Sequence, residues 1–360
     1  MTEPVLVTGA FGLVGSTLVR HLIAEGRPVV ATDLDVPRNR AKARRLARSA
    51  HVDVRWTELT DAGAVAALVS SVKPGAIVHL AALIPPFCYA SSNLARRVNV
   101  EATAALVRAA SLLPVPPRFV LASSVAVYGA RNPHRCPELL SAATPVHPCD
   151  LYGAHKVEAE QVVTSSDVDW VILRLGGVLS AEPRWDVDLD MIYLASVLPV
   201  DGRIQTVDVR DVARAFSAAT TTEMTREAFL IGGDESHRVV QGTLGSAMAE
   251  AMGLVDGVPP GRPGDPASDG DWFATDWMDT TRAQQVLSFQ HHSLPEIFAE
   301  TRAKVGWKRW PLRAIAPAMR MYLRSRSPYR HAAGDYADPW GAIRSKWGDP
   351  CGRPGVVSRG

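Results

Sequence analysis

Thr8-Gly9-Ala10-Phe11-Gly12-Leu13-Val14-Gly15 joins a short apolar run, Pro4-Val5-Leu6-Val7-Thr8, to a helically spaced segment at 13–25. Glycine suits a backbone that must turn sharply and then approach another group closely. A strand, a glycine-rich turn and a helix N-terminus together form a cradle for a pyrophosphate, held by free N–H groups and the positive end of the helix dipole. Gly9, Phe11, Gly12, Leu13, Val14 and Gly15 are the candidate cradle, with Gly15 letting the helix pack tightly on the sheet. The competing reading of the same residues is a plain structural turn.

Outward from this turn, strand-like and helix-like segments alternate. Residues 28–32, 51–56, 76–80, 118–122 and 170–173 read as strands; 38–49, 62–72, 93–112 and 151–164 read as helices. Apolar strands alternating with helices imply a parallel sheet covered on both faces. The handedness of the crossovers makes it a doubly wound α/β sheet of the Rossmann type. After 174 the rhythm breaks. Residues 204–207, 212–220 and 229–231 read as pieces returning to the same sheet, 253–271 as a loop, and 280–287 and 294–305 as helices. The expected organisation is a dinucleotide-binding domain over 1–178 with 204–232 returning to it. A smaller C-terminal substrate lobe takes 179–203 and 233–330, and an irregular tail takes 331–360.

Asp33 ends the second strand. A carboxylate there accepts hydrogen bonds from both adenosine ribose hydroxyls and repels a 2′-phosphate, favouring NAD over NADP. Arg38 and Arg40 offer a 2′-phosphate a positive partner, but a solvated basic helix is the simpler reading of them. Glu58 and Leu59 stand at the adenine end after the third strand, where capping by Thr60 or Asp61 competes with an adenine contact.

Composition excludes several classes. The 360 residues are 47% hydrophobic with a net charge of +2, so no global field points to nucleic acid. Four scattered cysteines without C-x-x-C spacing suggest neither a metal site nor a disulfide framework, and reduced thiols of a cytoplasmic protein are expected. No apolar run is long enough to span a bilayer, and no signal peptide is expected.

Tyr152 and Lys156, in Tyr152-Gly153-Ala154-His155-Lys156, lie one helical turn apart and can share a face. An ammonium beside a phenol favours the phenolate. Bringing a tyrosine from its usual value of about 10 to near 7 takes roughly 3 units, or about 4 kcal/mol.

Several segments now stand in register: 9–15, Val78-His79-Leu80-Ala81-Ala82, Val98-Asn99-Val100, Ser123-Ser124-Val125-Ala126-Val127-Tyr128-Gly129, and 152–156. With these the chain resembles the extended short-chain dehydrogenase/reductase family, the NAD-dependent epimerase/dehydratase group, over about residues 3–232. The resemblance implies that Tyr152 is the general acid/base, that Lys156 holds the nicotinamide ribose, and that Ser124 hydrogen-bonds the reacting oxygen. Leu80, Ala81, Ala82 and Asn99 would border the cofactor. Asn99 is equally readable as a buried polar residue holding a loop, and His79 is expected to be structural.

Three departures narrow the expectation. Val125 and Ala126 stand where sugar dehydratases of that family carry an acid pair, so elimination lacks its acid and base. Gly177 replaces an asparagine that helps nucleotide-sugar enzymes hold a diphosphate. The span 180–203 is short for a nucleotide lobe, although Arg184, Arg203 and Arg210 could contact phosphates. Ile84 in the apolar loop 83–89, with Trp185 and Met191, would suit a partly apolar substrate.

The leading expectation is therefore an NAD-dependent oxidoreductase acting on a secondary alcohol or ketone of a small molecule. A nucleotide-sugar 4-epimerase and a non-catalytic NAD(P)-sensing protein are the alternatives. A homodimer is expected. The stretch 307–330 holds seven Lys or Arg and no acid. Pro311 and Pro317 are expected to break it, and a helix packed on the lobe or a dimer contact is preferred there to contact with a membrane surface.

Overall fold

The computed structural model describes residues 3–46, 52–183, 185, 188–330 and 332–351. The apolar runs become strands β1 (Val5–Thr8), β2 (Val29–Asp33), β3 (Val52–Trp56), β4 (Ala76–His79), β5 (Arg118–Ser124), β6 (Trp170–Leu175), β7 (Gly177–Leu179), β8 (Arg203–Asp208), β9 (Glu227–Ile231) and β10 (Arg238–Val240). Among the described residues, seven of them form one sheet in the order β3-β2-β1-β4-β5-β6-β9. Every pairing in it is parallel. Successive strands step outward from β1 to β3, and β4 then returns to the other flank of β1. Thr8 pairs with His79 there, so the crevice beyond these two strand ends is the topological switch point where such sheets take a ligand.

Both faces are covered, which is why the strands read as continuous apolar runs. On one face Leu18, Val19 and Leu22 of helix Leu13–Ala24 pack with Val212 and Phe216 of helix Val209–Ala219. On the other, Val65, Leu106 and Val163 come from helices Ala62–Val72, Ala102–Ser111 and Leu151–Thr164. Each such fully buried side chain contributes about 1.5–3 kcal/mol.

The chain after β6 departs from the expectation. Of the three returning pieces, 229–231 joins the large sheet within β9, while 212–220 lies largely in helix Val209–Ala219. Residues 204–207 belong to β8 of a separate sheet, β10-β8-β7. Gly176 is the reason the chain can change sheets. Its N–H donates to Ile231 O at 3.0 Å, and a Cβ on it would stand 2.4 Å from Gln205 O.

Three helical segments also differ. Residues 93–112 divide into Ser92–Arg96, a π-helical turn Arg97–Glu101 and Ala102–Ser111. The expected interruption at Pro311 and Pro317 is absent: Arg309–Arg326 is one helix. Pro311 falls in its first turn, where a missing N–H costs nothing. The tail is not irregular throughout, because Pro339–Trp347 is a helix whose cap, Asp338, accepts from Gly341 N at 2.7 Å. Residues 47–49 and 51 of the expected helix and strand, Arg184, and 352–360 of the tail lie outside the described residues.

Candidate active site

Asp150 starts the helix that carries the tyrosine–lysine pair. Its Oδ1 accepts from Gly153 N at 2.9 Å and its Oδ2 from the Tyr89 hydroxyl at 2.6 Å. The carboxyl is buried, and burial pushes its pKa up against these hydrogen bonds. Gly153 allows close docking on the turn after β5, since a Cβ there would meet Ala126 O at 2.4 Å. This docking sets the Tyr152 hydroxyl near the Ser124 side chain, which favours its ionised form. One turn further on, Lys156 Nζ donates to Ala122 O at 2.7 Å and lies 5.7 Å from the Tyr152 ring centroid.

The electrostatic balance differs from the expectation. Burial pushes the Tyr152 phenol well above its ordinary value, with the Ser124 side chain opposing. Burial also lowers Lys156 to about 8, against the attraction of Glu160. Burial outweighs the contacts that favour the phenolate, and an added positive charge beside the ring would favour the ionised form.

Beneath the pair lies a network that the sequence reading did not find. Arg174 forks onto Glu160, Nε to Oε1 at 2.9 Å and Nη2 to Oε2 at 2.6 Å. Arg174 Nη1 donates to the Tyr128 hydroxyl at 2.7 Å, and Ser123 Oγ donates to Glu160 Oε1. The register Ser123↔Arg174 between β5 and β6 sets two of these side chains against the same carboxylate.

At the switch point Gly9 has φ +63°, and a Cβ on it would stand 2.8 Å from Ala81 N. A Cβ on Gly15 would stand 2.2 Å from Gly9 O. Helix Leu13–Ala24 starts at Gly12 with no side-chain cap, which leaves the amides around Leu13 and Val14 to an outside acceptor. Asp33 Oδ2 accepts from Phe11 N at 2.9 Å and Oδ1 from Leu34 N at 2.8 Å, each oxygen keeping a lone pair for a ribose hydroxyl. These features fit a dinucleotide. Lys42, missed from sequence, donates to Phe11 O at 2.6 Å. Arg40 forks onto Asp35 instead.

Leu80 and Ala81 follow β4, with N–H groups on Thr8 Oγ1 at 3.2 and 3.4 Å; Ala82 continues the same loop half-buried. His79 is structural, held between Thr8 Oγ1 at 2.7 Å and Thr103 Oγ1 at 3.0 Å, with burial lowering its pKa to about 3. Asn99, on the π-helical turn, exchanges both amide hydrogen bonds with the backbone of Leu83, at 2.8 and 2.9 Å. It holds the loop that carries Ile84, which is exposed. Glu58 is exposed and accepts from Thr60 N and Oγ1, Leu59 is buried, and Asp61 caps the next helix.

The remaining candidates are less free than their sequence suggests. Gly177 pairs with Thr206 and faces the Ile204 side chain. Trp185 is half-exposed under Lys308 Nζ, 4.8 Å from its ring centroid. Arg203 donates to Cys136 O at 3.0 Å, and Arg210 forks onto both Asp208 and Glu300. Val125 and Ala126 are buried, with no carboxylate in their places.

The model of the NAD dependent epimerase/dehydratase family matches residues 5–232. The chain belongs to that family. It is therefore an NAD-dependent enzyme of the epimerase/dehydratase group. Among relatives, it is 30% identical to a UDP-glucose 4-epimerase of Mycolicibacterium smegmatis over 82% of this chain and 96% of that protein. It is 32% identical to a D-erythronate dehydrogenase of Cupriavidus necator over 48% of this chain and 54% of that one. Among solved structures, MoeE5 in complex with UDP-glucuronic acid and NAD superposes with a TM-score of 0.65 at 26% identity, covering 86% of this chain and all of that one.

Proposed function

We propose that this family member is a nucleotide-sugar 4-epimerase. The observation that carries the reading is likeness along 96% of a UDP-glucose 4-epimerase, extending well past the cofactor-binding half. The site's chemistry agrees with it. Tyr152 takes the proton of the sugar 4-hydroxyl and later returns it, and Ser124 hydrogen-bonds the reacting oxygen. Lys156 holds the nicotinamide ribose and keeps a positive charge beside the phenol. NAD supplies the hydride acceptor and, when oxidised, a second positive charge. Val125 and Ala126 stand in place of the carboxylate pair that elimination of water would use.

A second reading, oxidation of a secondary alcohol with net release of NADH, is supported by Gly177 and by the D-erythronate dehydrogenase likeness. A panel of UDP-sugars and sugar acids separates the two, with products resolved and NADH absorbance followed. Interconversion of 4-epimers without accumulating NADH is expected. Stoichiometric NADH with no epimer would install the dehydrogenase instead.

We assign the ribose hydroxyls to Asp33. Asp33→Ala is expected to weaken NAD+ at least about 10-fold, by the loss of charge-assisted hydrogen bonds. The same change should narrow the preference over NADP+, since the carboxylate that repels a 2′-phosphate is gone. Calorimetry with both cofactors checks this, and unchanged NAD+ affinity would remove Asp33 from the role.

A further inference from the structure

Helix Arg309–Arg326 has two apolar faces. Leu312, Ala316, Met319 and Leu323 form the inner seam, buried or half-buried. On the opposite side Trp310, Ala314, Ala318 and Met321 continue a stripe begun by Trp307, and every one of them is exposed. Trp307 and Trp310 are each 75% exposed and Met321 72%, with Ile315 and Tyr322 exposed alongside. Burying neither tryptophan is costly for a surface that meets only water.

The border of this stripe is cationic. Arg309, Arg313, Arg320 and Arg324 follow one edge at helical spacing, and Arg326 lies on the other, 5.5 Å over the Tyr322 ring. Between 307 and 330 there is no acidic residue. Among the described residues no carboxylate pairs with Arg313, Arg320, Arg324 or Arg326.

We propose that this helix lies on an anionic phospholipid surface. An exposed apolar stripe with tryptophans, flanked by arginines, matches a helix seated at the headgroup–acyl boundary. The cations select the charge of the lipid. A second copy of the chain fits less well, because a two-fold contact through this face sets one row of unpaired arginines near another. The helix rests on the surface without crossing it; no helix among the described residues is long and apolar enough to span a membrane.

The full-length protein should sediment with vesicles of phosphatidylcholine and phosphatidylglycerol, and at least about 10-fold less with phosphatidylcholine alone, weakening as salt rises. Arg313→Gln, Arg320→Gln and Arg324→Gln together should lower binding about 100-fold. Trp310→Ser with Met321→Ser should abolish it. Turnover of soluble substrate, unchanged in both variants, confirms that they fold. Wild-type protein that ignores anionic vesicles overturns the proposal. So does vesicle binding unaffected by both variants, or a dimer in sedimentation velocity that Trp310→Ser dissociates.

Discussion

Tyr152→Phe is expected to lower kcat by about 10²–10⁴-fold while leaving NAD affinity close to the parent's. The ring and its packing survive the change, and only the proton-carrying oxygen is lost. The size of the effect follows from the surroundings of that oxygen. Burial holds the phenol above its ordinary range, so ionisation depends on nearby positive charge. Lys156 lies 5.7 Å from the ring centroid and falls to about 8 through its own burial. Turnover should therefore rise with pH as Tyr152 ionises, and decline again above about pH 8 if Lys156 is not held protonated by bound cofactor. Initial rates across pH, with calorimetric NAD titrations of both proteins, make the measurement. Turnover like the parent's in the phenylalanine variant would end the proposed chemistry.

Arg174→Met should cost about 3–5 kcal/mol of stability, by leaving the Glu160 carboxylate buried without its cation. The loss includes both arms of the fork and the bond to the Tyr128 hydroxyl. Adding Glu160→Leu in the same chain should restore much of it, since a buried pair replaced by apolar groups is far less harmful than a half-pair. Urea unfolding of the two single variants and the double variant tests this. A single variant within about 1 kcal/mol of the parent would mean that water reaches Glu160. Glu160 also raises the Lys156 pKa, so the arginine change reaches the site through that lysine.

The large sheet was legible because its signals are local. Most apolar runs, the glycine turn and most helical segments up to 175 can be read within a few residues, whereas the strand order with its switch between β1 and β4 comes from the structure. The small sheet was not legible, because β7 and β10 are only three residues each and β8, read as a strand piece at 204–207, finds these partners only in three dimensions. The Glu160–Arg174 fork has the same character. Glu160 is visible one turn past Lys156, but nothing near it in the chain indicates that β6 will deliver a guanidinium. Two signals were available and passed over. Asp150 directly before the helical segment is an N-terminal capping signal, and Asp338-Pro339 is another. Pro317 misled in the other direction, because a long amphipathic helix tolerates what a local rule forbids. The roles of Ser124, Tyr152 and Lys156 came from the family resemblance, whereas their surroundings came only from the fold.

The helix that carries Tyr152 begins with an amide, Leu151 N, that donates to Pro350 O at 2.7 Å, and Cys351 Sγ reaches Cys149 O across 202 residues of sequence. Trp347 meanwhile lies 6.5 Å, centroid to centroid, from Tyr89, which holds Asp150. A ribosome releases residue 151 long before it has made residue 350. The sheet and the glycine turn draw on residues up to 231, but the first turn of the Tyr152 helix has all its partners only once residue 350 has been made. The reacting centre thus leans on residues about 200 positions further along the chain, and a substitution at Trp347 is expected to loosen the first turn of the Tyr152 helix without touching the glycine turn.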